Sequence, residues 1–193
     1  FGEVFLRVEP MPRGEGVEFA QELFGESIPR QFVPAIEKGV NDVVHQGAVA
    51  GYPLQDIKAI VTDGKHHPVD SKEVAFRTAG KYAFIDAIQK AKPVILEPIV
   101  SMEITIPAEF MGDIAGDLSG RRGRIQGQEM LPGNIALITA QAPLAEVMTY
   151  NNQLRSVTGG QGSFTMEFSH YDPVPGNVQQ QIIANAQKAK EEA

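Results

Sequence analysis

The stretch Glu97-Pro98-Ile99-Val100-Ser101-Met102-Glu103-Ile104-Thr105-Ile106-Pro107 is an extended run carrying Ile99, Met102, Ile104 and Ile106, and it closes on a proline. Proline in a first helical turn costs little, because the amide it lacks has no partner inside the helix. Phe110, Ile114 and Leu118 follow at four-residue spacing, which is one apolar stripe on a helix. A strand therefore runs directly into a helix. Onward, residues 121–128 and 134–142 pair as strands around Leu131-Pro132-Gly133, Pro143 starts a second helix through Val147, Met148 and Leu154, and 162–171 supplies a fourth strand. Strand, helix, strand, strand, helix, strand is the split βαβ plan, an antiparallel sheet with two helices on one face. Val178, Ile182 and Ile183 mark a closing helix that frays into the charged tail at 188–193.

The first half reads differently. Residues 3–10 have strand character, with Val4, Leu6 and Val8 on one face and Phe5 on the other; 10–16 is a turn, and 17–24 returns as a strand. Ser27-Ile28-Pro29 opens a helix whose Val33, Ile36, Val40, Val43 and Val44 keep helical spacing until Gly47 ends it. Leu54-Gln55-Asp56-Ile57-Lys58-Ala59-Ile60-Val61 is a strand, and Asp63-Gly64 after it is a turn signal. The segment 63–71 forms a hairpin-like tip with Lys65, His66 and His67 at its apex and Pro68 stiffening its exit. Asp70 and Glu73 have the spacing of a capping box for the next helix. Phe76, Ala79, Ala83 and Ala87, with Phe84 and Ile88 beside them, give that helix an apolar face until Ala91-Lys92-Pro93 stops it. The chain is thus α+β and divides into domains 1–93 and 94–193.

Composition narrows the function. The 193 residues suffice for two domains with cores of their own. No run of about eighteen apolar residues is present to span a membrane. The start at Phe1-Gly2-Glu3 has the look of a cut within a longer chain. Without cysteine there is no disulfide, thiol nucleophile or thiolate metal site, and a reducing compartment fits. A net charge of −7 supplies no global field for nucleic acid, so any RNA contact is local.

Two clusters could make that contact. His66 and His67 are adjacent, so an extended backbone points them to opposite faces, which disfavours a shared metal. They are either solvated turn residues or, with Lys65, groups that stack on bases and donate to phosphate or a ribose hydroxyl. Arg121, Arg122 and Arg124 form the densest positive cluster. They either pair with nearby carboxylates or grip phosphate with their guanidinium forks. Asp63 and Asp70 are explained by turn and cap, and His45 by the negative end of its helix. His170 beside Tyr171 reads as a satisfied packing residue with no Ser-His-Asp context. No Gly-x-x-x-x-Gly-Lys-Ser/Thr occurs, and Gly159-Gly160-Gln161-Gly162-Ser163 lacks the phosphate-reaching lysine.

Several motifs then fall in a familiar order: Glu3-Val4 through Val8-Glu9-Pro10, Ile28-Pro29-Arg30, Ala50-Gly51-Tyr52-Pro53, the tip, Leu96-Glu97-Pro98-Ile99, Met111-Gly112-Asp113, Arg121-Arg122-Gly123, Pro143-Leu144-Ala145-Glu146 and His170-Tyr171. Over essentially its whole length the chain resembles the last two domains, the fourth and fifth, of bacterial elongation factor G or an elongation factor G-like paralogue. The resemblance implies a ribosomal-protein-like α/β domain with a left-handed crossover, followed by a ferredoxin-like βαββαβ domain. It implies ribosome binding in the service of GTP-dependent tRNA-mRNA translocation during protein synthesis. The tip, with His67 on the family's tip histidine, would enter the small-subunit decoding region. The second domain would lie near the sarcin-ricin loop and stalk base of the large subunit.

The same resemblance implies a cytoplasmic, monomeric translational GTPase as parent, with GTP and Mg held upstream and no cofactor in this stretch. The contact residues would be Lys65, His66, His67, Arg121, Arg122 and Arg124. Lys65-His66 stands where the family commonly has Ser-Tyr, Lys72 where serine is common, and Gln161 where arginine is frequent. The Gly-rich loop that normally precedes Phe1 lies outside this sequence. The alternative is a ribosome- or RNA-binding module of a paralogue or ribosome-protection factor that does not translocate.

Overall fold

Val4, Leu6 and Val8 recur at every second position, and in the computed structural model, which describes residues 1–193, they turn inward from strand β1 (Glu3–Pro10) while Phe5 stays exposed. Strand β2 (Val17–Gln21) follows, then a 3₁₀ turn (Arg30–Phe32) and helix α1 (Val33–Gln46), with a proline in the first turn of α1. Gly47 ends α1 with φ 79°, its amide bonded to the Val43 carbonyl. Strand β3 (Ile57–Lys65) and helix α2 (Glu73–Lys90) complete this part. The sheet order is β1-β3-β2, with β3 antiparallel to β1 and parallel to β2. The strand expected at 17–24 thus ends at Gln21 and lies along β3, with α1 as the crossover joining the parallel pair.

The apolar spacing explains the packing. Phe76, Gly80, Phe84 and Ile88 form the buried line of α2, and Ile36, Val40 and Val43 that of α1; both meet Ala59 and Val61 of β3 in the core. Each large side chain so buried contributes about 1.5–3 kcal/mol. Phe32 stacks on Phe76 with centroids 4.7 Å apart. The helices touch through glycines: a Cβ on Gly39 would lie 2.1 Å from the Arg77 carbonyl oxygen, and one on Gly80 2.9 Å from the Ile36 side chain. At the far end from Lys65, Asp56 adopts φ 59° and is buried. Its Oδ1 accepts the Gly14 and Gly16 amides at 3.1 and 3.2 Å, and its carbonyl accepts that of Met11 at 2.8 Å, which closes the turn between β1 and β2.

Two local expectations fail here. Asp63-Gly64 is not a turn: β3 continues through it, pairing Gly64 with Val4 and Lys65 with Glu3. The glycine answers a steric need, since a Cβ there would meet the Glu3 carbonyl at 2.3 Å and Ile28 Cδ1 at 2.5 Å. The capping box does not form either. The N-cap of α2 is Lys72, with no side-chain cap, because Ser71 and Asp70 are engaged in the preceding loop.

In the second half, strand β4 (Leu96–Pro107) passes through a 3₁₀ turn (Ala108–Phe110) into helix α3 (Met111–Gly120). Strands β5 (Arg124–Leu131) and β6 (Ile135–Pro143) form the hairpin. Helices α4 (Leu144–Val147) and α5 (Tyr150–Thr158) replace the single expected helix, which breaks at Met148-Thr149. Strand β7 (Ser163–Pro173) closes an antiparallel sheet of order β5-β6-β4-β7, the ferredoxin-like order. Met102, Ile104, Ile106, Ile138 and Ala140 face Ile114, Leu118, Val147 and Leu154.

Helix α6 (Gly176–Glu191) ends the chain. The two compact units are Phe1–Pro93 with Gly176–Ala193, and Val94–Pro175. The closing helix, assigned to 94–193 from the sequence, groups with the first unit, where Gln179 donates to the Pro93 carbonyl at 3.1 Å. No helix is long and apolar enough to cross a membrane.

Candidate nucleic-acid interface

β3 delivers Lys65 at its exposed end, and the chain then folds back on itself before α2. Lys65 Nζ lies 3.8 Å from Glu3 Oε2, an exposed pair worth little. The two histidines diverge. His66 is half-buried, and its Nδ1 lies 3.1 Å from the Ser27 carbonyl oxygen, which can only accept; the ring therefore donates and anchors the loop to the segment before α1. His67 is exposed, and its backbone amide donates to Ser71 Oγ at 2.7 Å. The Val69 and Asp70 amides donate to His67 Nδ1 at 3.3 and 3.2 Å. So one histidine anchors and the other presents its distal edge to solvent. Of the three apex residues, Lys65 and His67 are free to reach a ligand, whereas His66 is largely committed inward.

The arginine cluster divides as well. Residues 121–123, expected to begin a strand, form the turn between α3 and β5, with Arg122 at φ 57°. A Cβ on Gly123 would crowd the Leu118 carbonyl oxygen at 2.7 Å. Arg121 pairs with Asp117 at 3.1 Å, donates to the Glu146 carbonyl at 2.7 Å and lies over the Tyr150 ring at 5.7 Å, a cation–π distance. Arg122 grips Glu97 with two bonds of 2.6 and 3.0 Å and reaches Glu146 at 3.3 Å. The bonds to Glu97 raise its pKa above the usual guanidinium value, against the opposing effect of burial. Arg124 alone is exposed with no acidic partner. The acidic partners Glu97 and Glu146 lie 25 and 24 residues away in sequence, and no periodicity announces them.

Tyr150, fully buried, has its pKa pushed up to about 12, chiefly by burial, with the Asp117 charge adding and Arg121 opposing. Its hydroxyl has no partner among protein groups, and its ring meets Phe164 edge-on at 5.3 Å.

His170 departs from expectation. Ser169 Oγ lies 2.8 Å from its Nδ1 and Asp172 Oδ2 lies 3.0 Å from its Nε2, a Ser-His-Asp string within four consecutive residues of one strand. The spacing Ser-His-Tyr-Asp was the available signal. Ser169 and the imidazole are open to solvent, and Gln141 also donates to the Ser169 hydroxyl at 3.4 Å, so the string satisfies polar groups along the sheet. The Gly159–Ser163 segment sits at the carbonyl end of α5, where Gly159 caps the helix with φ 60°; an anion would meet the wrong pole there, so the segment does not fit a nucleotide phosphate. Along α2 an open groove of about 420 Å³ is lined by Phe1, Val74, Ala75, Ala79 and Tyr82 together with the polar residues Asp70, Lys72 and Thr78. No group of three or more His, Asp or Glu side chains converges as a metal site would require.

A βαβ unit bearing a braced polar loop, followed by a split βαβ unit with an exposed arginine at the start of β5, makes a tandem α+β module. The comparisons place that module. Residues 1–92 match the model described as elongation factor G, domain IV, and residues 94–182 match elongation factor G C-terminus. The elongation factor G of Aquifex pyrophilus is 45% identical over 190 residues, covering 98% of this chain and 27% of that protein. A crystal structure of a protein from Thermus thermophilus is similar, with a TM-score of 0.78 and 40% identity over 96% of this chain and 27% of that one. The chain therefore belongs to the elongation factor G family, and it spans about a quarter of the length of these relatives.

Proposed function

We propose that this chain is the ribosome-engaging C-terminal part of a translational GTPase that promotes GTP-dependent tRNA-mRNA translocation. The observation that carries the reading is the tandem, in-order match of two elongation factor G models across nearly the whole chain. In this reading the first unit is a rigid probe whose Lys65 and His67 meet RNA in the small-subunit decoding region and hinder backward tRNA movement. The second unit bears against the large subunit near the sarcin-ricin loop and stalk base, with Arg124 as its phosphate contact. GTP and Mg belong to an upstream domain of the parent, which acts as a cytoplasmic monomer, and the domain boundary near Pro93 separates probe from support.

A toeprinting assay with the parent protein and ribosomes tests it. The expected outcome is a one-codon advance of the messenger RNA that depends on GTP, slowed by His67→Ala more than GTP-dependent binding is weakened. Binding without any advance overturns translocation. That result would favour the second reading, a ribosome-binding module that does not translocate, for which Lys65-His66 in place of the family's common Ser-Tyr is the supporting observation.

A further inference from the structure

We propose that the tip loop fixes His66 and His67 in opposite neutral tautomers, so that His67 offers its ligand a single Nε2–H donor and selects a hydrogen-bond acceptor on RNA. The inference rests on the proposed ribosome contact for its ligand, and on loop geometry alone for its chemistry.

Backbone groups have fixed polarity. An amide N–H only donates and a carbonyl only accepts, so each defines the proton on the ring nitrogen it meets. His67 Nδ1 receives two amides, Val69 at 3.3 Å and Asp70 at 3.2 Å, and must present its lone pair to them. In the neutral ring the proton then sits on Nε2. His66 Nδ1 faces the Ser27 carbonyl at 3.1 Å and must carry the proton, which leaves its Nε2 as an acceptor. The competing acceptor, Asp70 Oδ2, lies 3.5 Å from the same nitrogen, farther than either amide. The loop is thus built around an accepting Nδ1, and Ser71, which accepts the His67 amide at 2.7 Å, holds the backbone that makes the selection. Serving as a pure donor, the exposed edge of His67 suits a phosphate oxygen, a ribose hydroxyl oxygen or a base carbonyl, and rejects an amino group.

Two measurements test this. Long-range proton–nitrogen correlation spectra of the isotope-labelled chain, taken at a pH of about 8.5, roughly two units above an ordinary imidazole pKa, are expected to show Nε2–H for His67 and Nδ1–H for His66. Resonances are assigned by single substitution of each histidine. Averaged tautomers, or Nδ1–H on His67, overturn the proposal.

The second measurement uses the parent protein on ribosomes. Glutamine places an amide donor near the Nε2 position, whereas asparagine places its polar atoms near Nδ1. His67→Gln is therefore expected to translocate about fivefold to tenfold faster than His67→Asn, the worth of one ordinary hydrogen bond. Equal slowing of both variants removes the donor role and leaves the ribosome contact standing. Parental rates in His67→Gln, His67→Asn and His67→Ala alike remove the contact and with it the ligand, whatever the spectra show.

Discussion

The tip loop and the arginine turn both concentrate polar side chains, and they spend them in different ways. At the tip, backbone groups restrain the side chains: a carbonyl takes the proton of His66 and two amides take the lone pair of His67. At the turn between α3 and β5, side chains restrain side chains: Asp117, Glu97 and Glu146 occupy Arg121 and Arg122 before any ligand arrives. Backbone restraint leaves a functional edge exposed, whereas a carboxylate consumes the fork it restrains. Local density of cations in the sequence therefore overstates the available charge of this cluster, in which only Arg124, at the start of β5, remains unpaired.

The sharpest way to break the comparison is to remove the steric basis of the tip. Gly64→Val puts a branched side chain against the Glu3 carbonyl and Ile28; we expect the first unit to lose about 3 kcal/mol or more, an overpacking cost at its upper range, read by chemical denaturation. An unchanged midpoint would mean that β1 and β3 separate there at no cost. Next, Arg122→Ala strands the largely buried Glu97 carboxylate while keeping a left-handed backbone on a residue with a Cβ. A loss of about 2–3 kcal/mol is expected, with Arg122→Gly losing about 1 kcal/mol less because glycine tolerates φ 57°. Equal stability of parent and alanine variant would return Arg122 to the pool of free cations.

A smaller effect is expected at Tyr150. Its hydroxyl is buried without a protein partner, so Tyr150→Phe should stabilise the second unit by about 1 kcal/mol at neutral pH. The raised pKa also sets a sign. The folded state holds the neutral phenol up to about pH 12, while the unfolded chain releases its proton near the ordinary value of about 10. Stability is complete below pH of about 10 and declines as pH rises towards 12, by an amount on the order of 2 kcal/mol. The phenylalanine variant should lack that decline, and a parallel curve for both proteins would refute the assignment. The smallest effect on the fold is at Arg124: Arg124→Ser should leave the denaturation midpoint unchanged and lower the salt slope of ribosome binding by about one counterion, while Arg121→Ser should destabilise the unit.

The split βαβ plan was legible because Met102, Ile104 and Ile106 on the strand and Phe110, Ile114 and Leu118 on the helix keep their periods across Pro107. The first unit was legible as elements and less so as pairing. Nothing in Val17–Gln21 says that it lies parallel to β3, since a parallel register is set by the crossover helix and not by local alternation. Asp63-Gly64 misled because glycine serves close approach as readily as a turn. At the candidate site, the apex residues and arginines could be named from the sequence. Which of them stay free depended on Ser27, Glu97 and Glu146, partners 24 to 39 residues away that carry no local signal.

The glycine contacts between α1 and α2 have a mechanical consequence. Where helices meet through long side chains, rotamers form a soft layer that yields under load. At Gly39 and Gly80 that layer is missing, and one helix backbone bears almost directly on its neighbour. A thrust on the loop between β3 and α2 is thus carried by hydrogen-bonded strand and backbone-on-backbone contact, so this unit behaves under compression as a strut with little give.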